Sequence, residues 1–391
     1  MKKALSILVV AAMLLSLALP VFAEGIDYTT GTPWPDIDLD GVVTADMEAD
    51  LKDNFALAVN KDKILALEIP TGYSGGGTVR DVAIKVGEDL KEMFLGDAPE
   101  GHDELLAYNY FQLLMDWDGR NAQGIAPLKA QVDQVEAIDS IEALTAYFEL
   151  PSEDRLADIW ESGAMGDLTD SSRRVIAVIN VDLLLGDSAE YARLTPYGEM
   201  TKQAYTELAR KLLDRLGYSE DEAQQKIENS LAFETMLAPS IYTTEEQGSA
   251  DYYGKILNYL SPDELRELEG NLPILEGLQG DGYPEAEAYL VMNPGFIETL
   301  NGLYTEENLN LIKDFLIVRG SISVASTLDR QCYDWDRECG NALTGASGSL
   351  DDATVFSAQT SKVLRWPTAK LYASVYLKQE ERFALRKWLK R

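Results

Sequence analysis

Histidine is nearly missing from this chain: His102 is the only one in 391 residues. A zinc hydrolase site built on two histidines therefore cannot be assembled from it alone. A Ser-His-Asp site would have to use His102 itself. That residue follows Pro99, Glu100 and Gly101 in a polar approach to a helix, so it reads as an exposed loop residue rather than a positioned base. Positive charge is also scarce, with 34 Lys and Arg against 66 Asp and Glu, for a formal net charge of −32. Such a surface repels nucleic acid and anionic membrane, and neither is expected as a partner. It favours cationic peptides over anionic ones. Long apolar runs are absent after the first residues, so no membrane-spanning helix is expected in the mature chain.

The one apolar run has the grammar of an export signal. Lys2 and Lys3 precede residues 4–19, Pro20 breaks the run, and Val21, Phe22 and Ala23 suit cleavage after Ala23. The run is short for spanning, and no Cys follows it to carry a lipid anchor. Residues 1–23 are thus expected to be a signal peptide, and the mature protein secreted to the extracellular or cell-envelope side.

Only two cysteines occur, Cys332 and Cys339, and a secreted context makes a disulfide between them a candidate. If the intervening residues were helical, seven steps of about 1.5 Å would set the Cα atoms roughly 10 Å apart. A disulfide needs them within about 7 Å. Either residues 333–338 form a loop, or the thiols stay free. A metal site from these thiols with Asp334 and Asp336 is signalled only weakly.

Residues 24–52 form an acidic lead-in. Asp36, Asp38, Asp40 and Gly41 match the first half of a calcium-binding loop, but Met47 stands where the closing bidentate Glu belongs. A solvated acidic segment is the alternative reading. Beyond it, helical spacing dominates. Leu105, Leu106, Tyr110, Leu113, Leu114 and Trp117 predict a core helix over 103–117. Pro127 suits a first turn over 126–138, and Ser140 can cap 141–150. Two long amphipathic helices are expected over 197–216 and 221–237, with Gly217 as a C-cap between them. Ser261, Pro262 and Glu264 carry a capping box, Asn293-Pro294 opens another helix, and Thr305 can cap one over 306–319. The β-branched run in 173–182 and residues 288–292 predict short strands, and 340–352 a mobile loop. The fold expected is mainly α, a large helical lobe with two or three short β-strands.

Several of these segments together resemble a known family. Asp53, Phe55, Val59 and Asn60, then Ile69-Pro70, then Arg80-Asp81 resemble the opening of the N-terminal half of neprilysin-like zinc metallopeptidases. Asn121, Ala122, Gly124, Ile125 and Pro127-Leu128 look like the next block, before Ile138 and a helix with Phe148. Leu183 to Asp187 ahead of Tyr191 resembles the turn before the family's paired helices. Those helices are echoed by Leu216-Gly217, Ile227-Glu228, Phe233-Glu234 and Leu237-Ala238. Val291, Asn293-Pro294, then Leu311 to Arg319, and finally Ala369 to Tyr372, continue the pattern in family order.

The resemblance implies a domain over 53–378 that is the family's non-catalytic N-terminal part. The His-Glu-x-x-His helix, whose histidines bind zinc and whose Glu activates water, has no counterpart here, nor has the Asn-Ala-x-Tyr strand that positions substrate. No catalytic or metal residue and no cofactor is expected in this chain, zinc belonging to the missing half. In the family an arginine pair reaches towards the substrate's C-terminal carboxylate. Arg80 matches the second of the pair, which makes it the candidate substrate-binding residue, while Gly72 stands at the first. The plainer alternative is an ion pair of Arg80 with Asp81 or a nearby Glu. Residues 379–391 form an atypical basic tail, read either as a basic last helical turn or as the mark of a shifted frame or early stop. If a catalytic lobe is missing, Phe55, Leu57, Val59 and Ile64 should be loosely packed or exposed. The function expected is a secreted lobe covering a peptidase cleft, inactive alone, with a separate catalytic lobe and oligopeptides as partners. The alternative is a stand-alone secreted binding module for cationic peptides; no spacing points to a glycosidase.

Overall fold

A computed structural model describes residues 43–377, apart from residues 45, 49, 53 and 347. The signal peptide at 1–23, the calcium-type carboxylates Asp36, Asp38 and Asp40, and the basic tail at 379–391 lie outside the described residues. The chain divides into two compact units, Met1–Glu68 and Ile69–Arg391.

In the first unit, Asn54 caps helix α1 (Phe55–Leu65) by accepting the Leu57 N–H at 3.0 Å. None of its residues is buried, and Phe55 is 66% exposed. The exposure expected for Phe55, Val59 and Ile64 is what the structure has, with Leu57 half-buried.

The second unit is mainly α. Its first helices are α2 (Thr78–Leu95), α3 (His102–Met115) and α4 (Trp117–Gln123). Next come α5 (Ala126–Glu136) and α6 (Ile141–Phe148), the latter capped by Ser140 through the Ala143 N–H. The paired long helices are α7 (Pro196–Leu216) and α8 (Glu220–Leu237), joined by Gly217 at φ 101°, a left-handed C-cap that favours glycine. Further on lie α9 (Pro262–Glu269), α10 (Ile274–Gly280), α11 (Pro294–Leu303), α12 (Leu309–Val324), α13 (Arg330–Thr344), α14 (Asp352–Val363) and α15 (Arg365–Tyr376). The Ser261–Glu264 capping box forms as predicted, with both reciprocal hydrogen bonds present.

Four short strands replace the predicted two or three: β1 (Glu161–Gly166), β2 (Arg174–Ile179), β3 (Asn258–Leu260) and β4 (Tyr289–Val291), in the order β1-β2-β4-β3. The β2–β4 pair is parallel and the other two antiparallel. Both predicted strands exist; β1 escaped notice because it carries two glycines and little apolar alternation, and β3 because it has three residues. One face of the sheet (Ile176, Val178, Tyr289, Val291) joins the main core. That core is centred on α8 against α12, where Phe233 and Phe315 meet edge to face at 5.3 Å. A second core holds Met93, Phe94, Phe111, Tyr333, Phe356 and Leu371, from α2, α3, α13, α14 and α15.

Three expectations are corrected. Cys332 and Cys339 both lie in α13, a continuous helix, so they are about 10 Å apart along its axis and the disulfide does not form. Both thiols are free and buried. The same helix extends to Thr344, so the small polar loop begins at Gly345 rather than Gly340. Thr305 makes no side-chain cap; a 3-10 turn, Glu306–Asn308, precedes α12, which continues past Arg319 to Val324.

Candidate functional site

Arg80 owes its position to the backbone turn before α2. The Tyr73 N–H donates to the Pro70 carbonyl at 3.1 Å, Gly72 takes φ 84°, and Gly77 enters the helix at φ 124°. Those positive φ values are cheap only for glycine. The turn carries Tyr73 back under the first turn of α2, where the Arg80 guanidinium carbon sits 5.6 Å from the Tyr73 ring centroid. Arg80 is exposed and makes no ion pair with any described carboxylate, so the predicted alternative of a bond to Asp81 or a nearby Glu is not formed. Its donors face solvent. The residues beside it on α2, Val79 and Val82, are likewise exposed, Val79 to 86%.

Gly72 stands where the packing leaves no room for a larger side chain. A Cβ built there would lie 2.8 Å from Leu350 Cδ2 and 2.9 Å from the Leu350 backbone nitrogen. No side chain fits without moving the 350 backbone.

His102 is the first residue of α3, with its side chain 95% exposed and Nδ1 3.3 Å from Asp103 Oδ1. The donor chemistry does not fit zinc. The single imidazole is solvated, the two thiols are buried two turns apart on one helix, and no group of three or more His, Cys, Asp or Glu suited to a metal occurs among the described residues. Burial pushes both thiols up to about 11, which keeps them protonated and inert.

A cavity of about 430 Å³ opens between the start of β1, the segment after α10 and α12. Asp158, Glu161, Asp182 and Asp281 line it together with Trp160, Tyr283, Phe315 and Arg319. Arg155 anchors its wall from behind, with Nε 2.7 Å from Asp158 Oδ1 and Nη2 3.3 Å from Asp281 Oδ2. Burial raises the Asp158 carboxyl above its ordinary range, against the pull of Arg155. An acidic, aromatic-walled cavity of this kind can receive an ammonium or guanidinium group. Sequence reasoning missed it because its residues are scattered from 152 to 323 with no local spacing.

The segments that carry the family resemblance do converge, but on a strut. Fully buried Glu234 accepts the Leu184 N–H at 3.1 Å and the Tyr191 hydroxyl, with Arg319 Nε 3.5 Å away. Arg319 in turn donates to the Asp182 carbonyl at 2.8 Å. Burial raises the Glu234 carboxyl and the Tyr191 hydroxyl alike. Asn293 caps α11 through Phe296 and donates to Ser240 O at 2.8 Å. These residues hold elements together.

The profile of peptidase family M13 matches residues 51–388. The neutral endopeptidase of Lactobacillus helveticus is 23% identical over 299 residues, covering 74% of this chain and 45% of the relative. That of Lactococcus lactis subsp. cremoris is 21% identical over 282 residues, covering 70% and 44%. The crystal structure of PepO from Lactobacillus rhamnosis superposes with a TM-score of 0.75 at 16% identity, over 88% of this chain and 54% of that one. The inhibitor complex of the zinc metalloprotease ZMP1 of Mycobacterium tuberculosis gives 0.73 at 18% identity, over 85% and 51%. The chain spans about half the length of the relatives it matches.

Proposed function

The chain belongs to peptidase family M13, and from that premise we propose that it is the non-catalytic, cleft-covering lobe of a zinc endopeptidase, exported from the cell and inactive alone. The observation that carries the inactivity is the donor set: one solvated histidine and two buried thiols do not make a zinc site. What the lobe contributes is selection. Arg80, free of a carboxylate partner and held over Tyr73, would meet a peptide's C-terminal carboxylate as a single charge without the bidentate geometry of a pair. The partner such a lobe serves is a catalytic half that bears the zinc.

The test is direct. The purified chain, incubated with a quenched fluorogenic peptide and zinc, is expected to show no chelator-sensitive cleavage and no stoichiometric zinc by mass spectrometry. Cleavage abolished by chelator, or one bound zinc per chain, would overturn the reading.

The acidic, aromatic-walled cavity supports a second reading, a stand-alone module for cationic peptides. Calorimetric titration with short lysine- and arginine-containing peptides separates the two. Saturable binding that Glu161→Gln weakens favours the module, and no binding leaves the lobe.

A further inference from the structure

The acidic cavity beside β1 does not stand alone. A second cavity of about 450 Å³ opens on the other side of Arg319, and Asp182, Arg319 and Ser323 line both. The second chamber is largely apolar, walled by Leu183, Leu185, Tyr197, Ile322 and Leu343 from the chain after β2, α7, α12 and α13. Thr201 of α7 lines it too. That residue is only 4% exposed, and its hydroxyl has no hydrogen-bond partner among the described residues. A buried hydroxyl left unpaired is unfavourable, so a ligand that offers it a partner gains by doing so.

The first chamber has carboxylates to spare. Arg155 answers Asp158 and Asp281, and Arg319 lies against Glu234. Glu161 and Asp182 form no ion pair with any described residue, and burial together with the neighbouring Asp182 carboxylate raises the Glu161 carboxyl. A cationic side chain set between the two would relieve their repulsion. The chambers are separated only by the side chains they share. In an extended peptide, residues i and i+2 point to the same face about 6.5 Å apart, while adjacent residues point to opposite faces. One extended strand can therefore place a basic side chain in the first chamber and an apolar one in the second, on either side of Arg319.

We propose that the two chambers form one peptide-binding trough, which selects a basic residue and a leucine-sized apolar residue two positions apart. The basic side chain meets Glu161 and Asp182, the apolar one packs among Leu183, Leu185, Ile322 and Leu343, and the Thr201 hydroxyl pairs with the peptide backbone. The inference rests on the second reading above, a module for cationic peptides, and gives that reading a sequence preference.

Calorimetric titration of the full chain with the peptide acetyl-Ala-Arg-Ala-Leu-Ala-amide, and with the same peptide with Arg and Leu exchanged, tests this. Both ends are capped, so Arg80 is offered no carboxylate. In one of the two orders, binding is expected to weaken about tenfold when the leucine is replaced by alanine, and again about tenfold when citrulline replaces the arginine. Placing the arginine and leucine side by side should cost a similar factor. Two variants at exposed positions separate the chambers. Glu161→Gln should remove the preference for arginine over citrulline and keep that for leucine, and Tyr197→Ala should do the reverse. Arginine-dependent binding to which leucine adds less than about twofold in both orders overturns the trough and leaves the cationic-peptide reading standing. Equal loss of both preferences in each variant also overturns it, since one undivided site would then hold both side chains. No saturable binding of any of these peptides sinks the trough and the reading together.

Discussion

At Gly72 the structure decides what the sequence alone left as a mere difference from the family. Its φ of 84° and the 2.8 Å approach of Leu350 mean that Gly72→Arg cannot rebuild an arginine pair. The variant is expected to lose about 1–3 kcal/mol of stability, read as a lower urea midpoint, with no gain in peptide affinity. Arg80 is the opposite case. It is exposed and holds only a ring contact, so Arg80→Ala should change stability by no more than about 0.5 kcal/mol. If Arg80 meets a peptide carboxylate, the same change weakens binding of a free-acid peptide about tenfold and leaves its C-terminal amide unaffected, measured by calorimetry on the lobe supplied with a catalytic half. Glu269 sets a pH dependence. It is fully buried at the end of α9, and burial pushes its carboxyl up to about 7, although Arg266 Nη1 lies 2.6 Å away. Arg266 is half-exposed, so solvent screens its charge and burial prevails. The folded pKa is above the unfolded one, so the stabilising proton is fully present below about pH 4.5 and lost as pH rises through about 7. Over that window wild type should lose on the order of 3 kcal/mol through this group, and Glu269→Gln should flatten that share of the slope in urea titrations.

At the level of elements, what was legible was local chemistry. Ser140, Ser261, Asn293 and Gly217 each sit at the helix boundary the sequence assigned, because a cap is decided by a few adjacent residues. The strands show the limit: β2 announced itself by five apolar β-branched and small residues, while β1 is a strand only because β2 offers it a ladder. The cysteines show a second limit, since a secreted context argues for pairing and only the continuity of α13 argues against it. That continuity has a simple consequence. The native protein should leave both thiols unreactive to a thiol reagent, two should titrate in denaturant, and reductant should not move the melting temperature. A melting temperature lowered by reductant would show that the helix yields to a disulfide. The α8–α12 seam is the element pair on which the main core depends, and Phe233→Ala there should cost about 3–5 kcal/mol by urea unfolding.

Over the whole molecule, the family and the mainly α architecture could be read in advance, but the acidic cavity could not. Its carboxylates come from residues 158, 161, 182 and 281, and only the meeting of β1, the chain after β2 and the end of α10 makes them neighbours. The Glu234 strut has the same character: each residue was visible as a family marker, yet its role is to tie the 183–191 turn to α8 and α12. Net charge works at a longer range than either. With a formal charge of −32, many carboxylates have no cation to pair with, and their mutual repulsion opposes the compact state. Some of the short-range pairs are partly buried, among them Arg215 with Asp329 at 2.7 Å and Lys226 with Asp314 at 2.8 Å, and salt screens those least. Raising ionic strength from about 10 mM to about 150 mM shortens the Debye length from about 30 Å to about 8 Å, which removes the diffuse repulsion and spares the contacts. The melting temperature should therefore climb with added sodium chloride, by roughly 1–2 °C for each kcal/mol of repulsion relieved. A scanning-fluorimetry series in salt checks this; a falling melting temperature would mean that the ion pairs, not the surplus carboxylates, dominate the electrostatics of the fold.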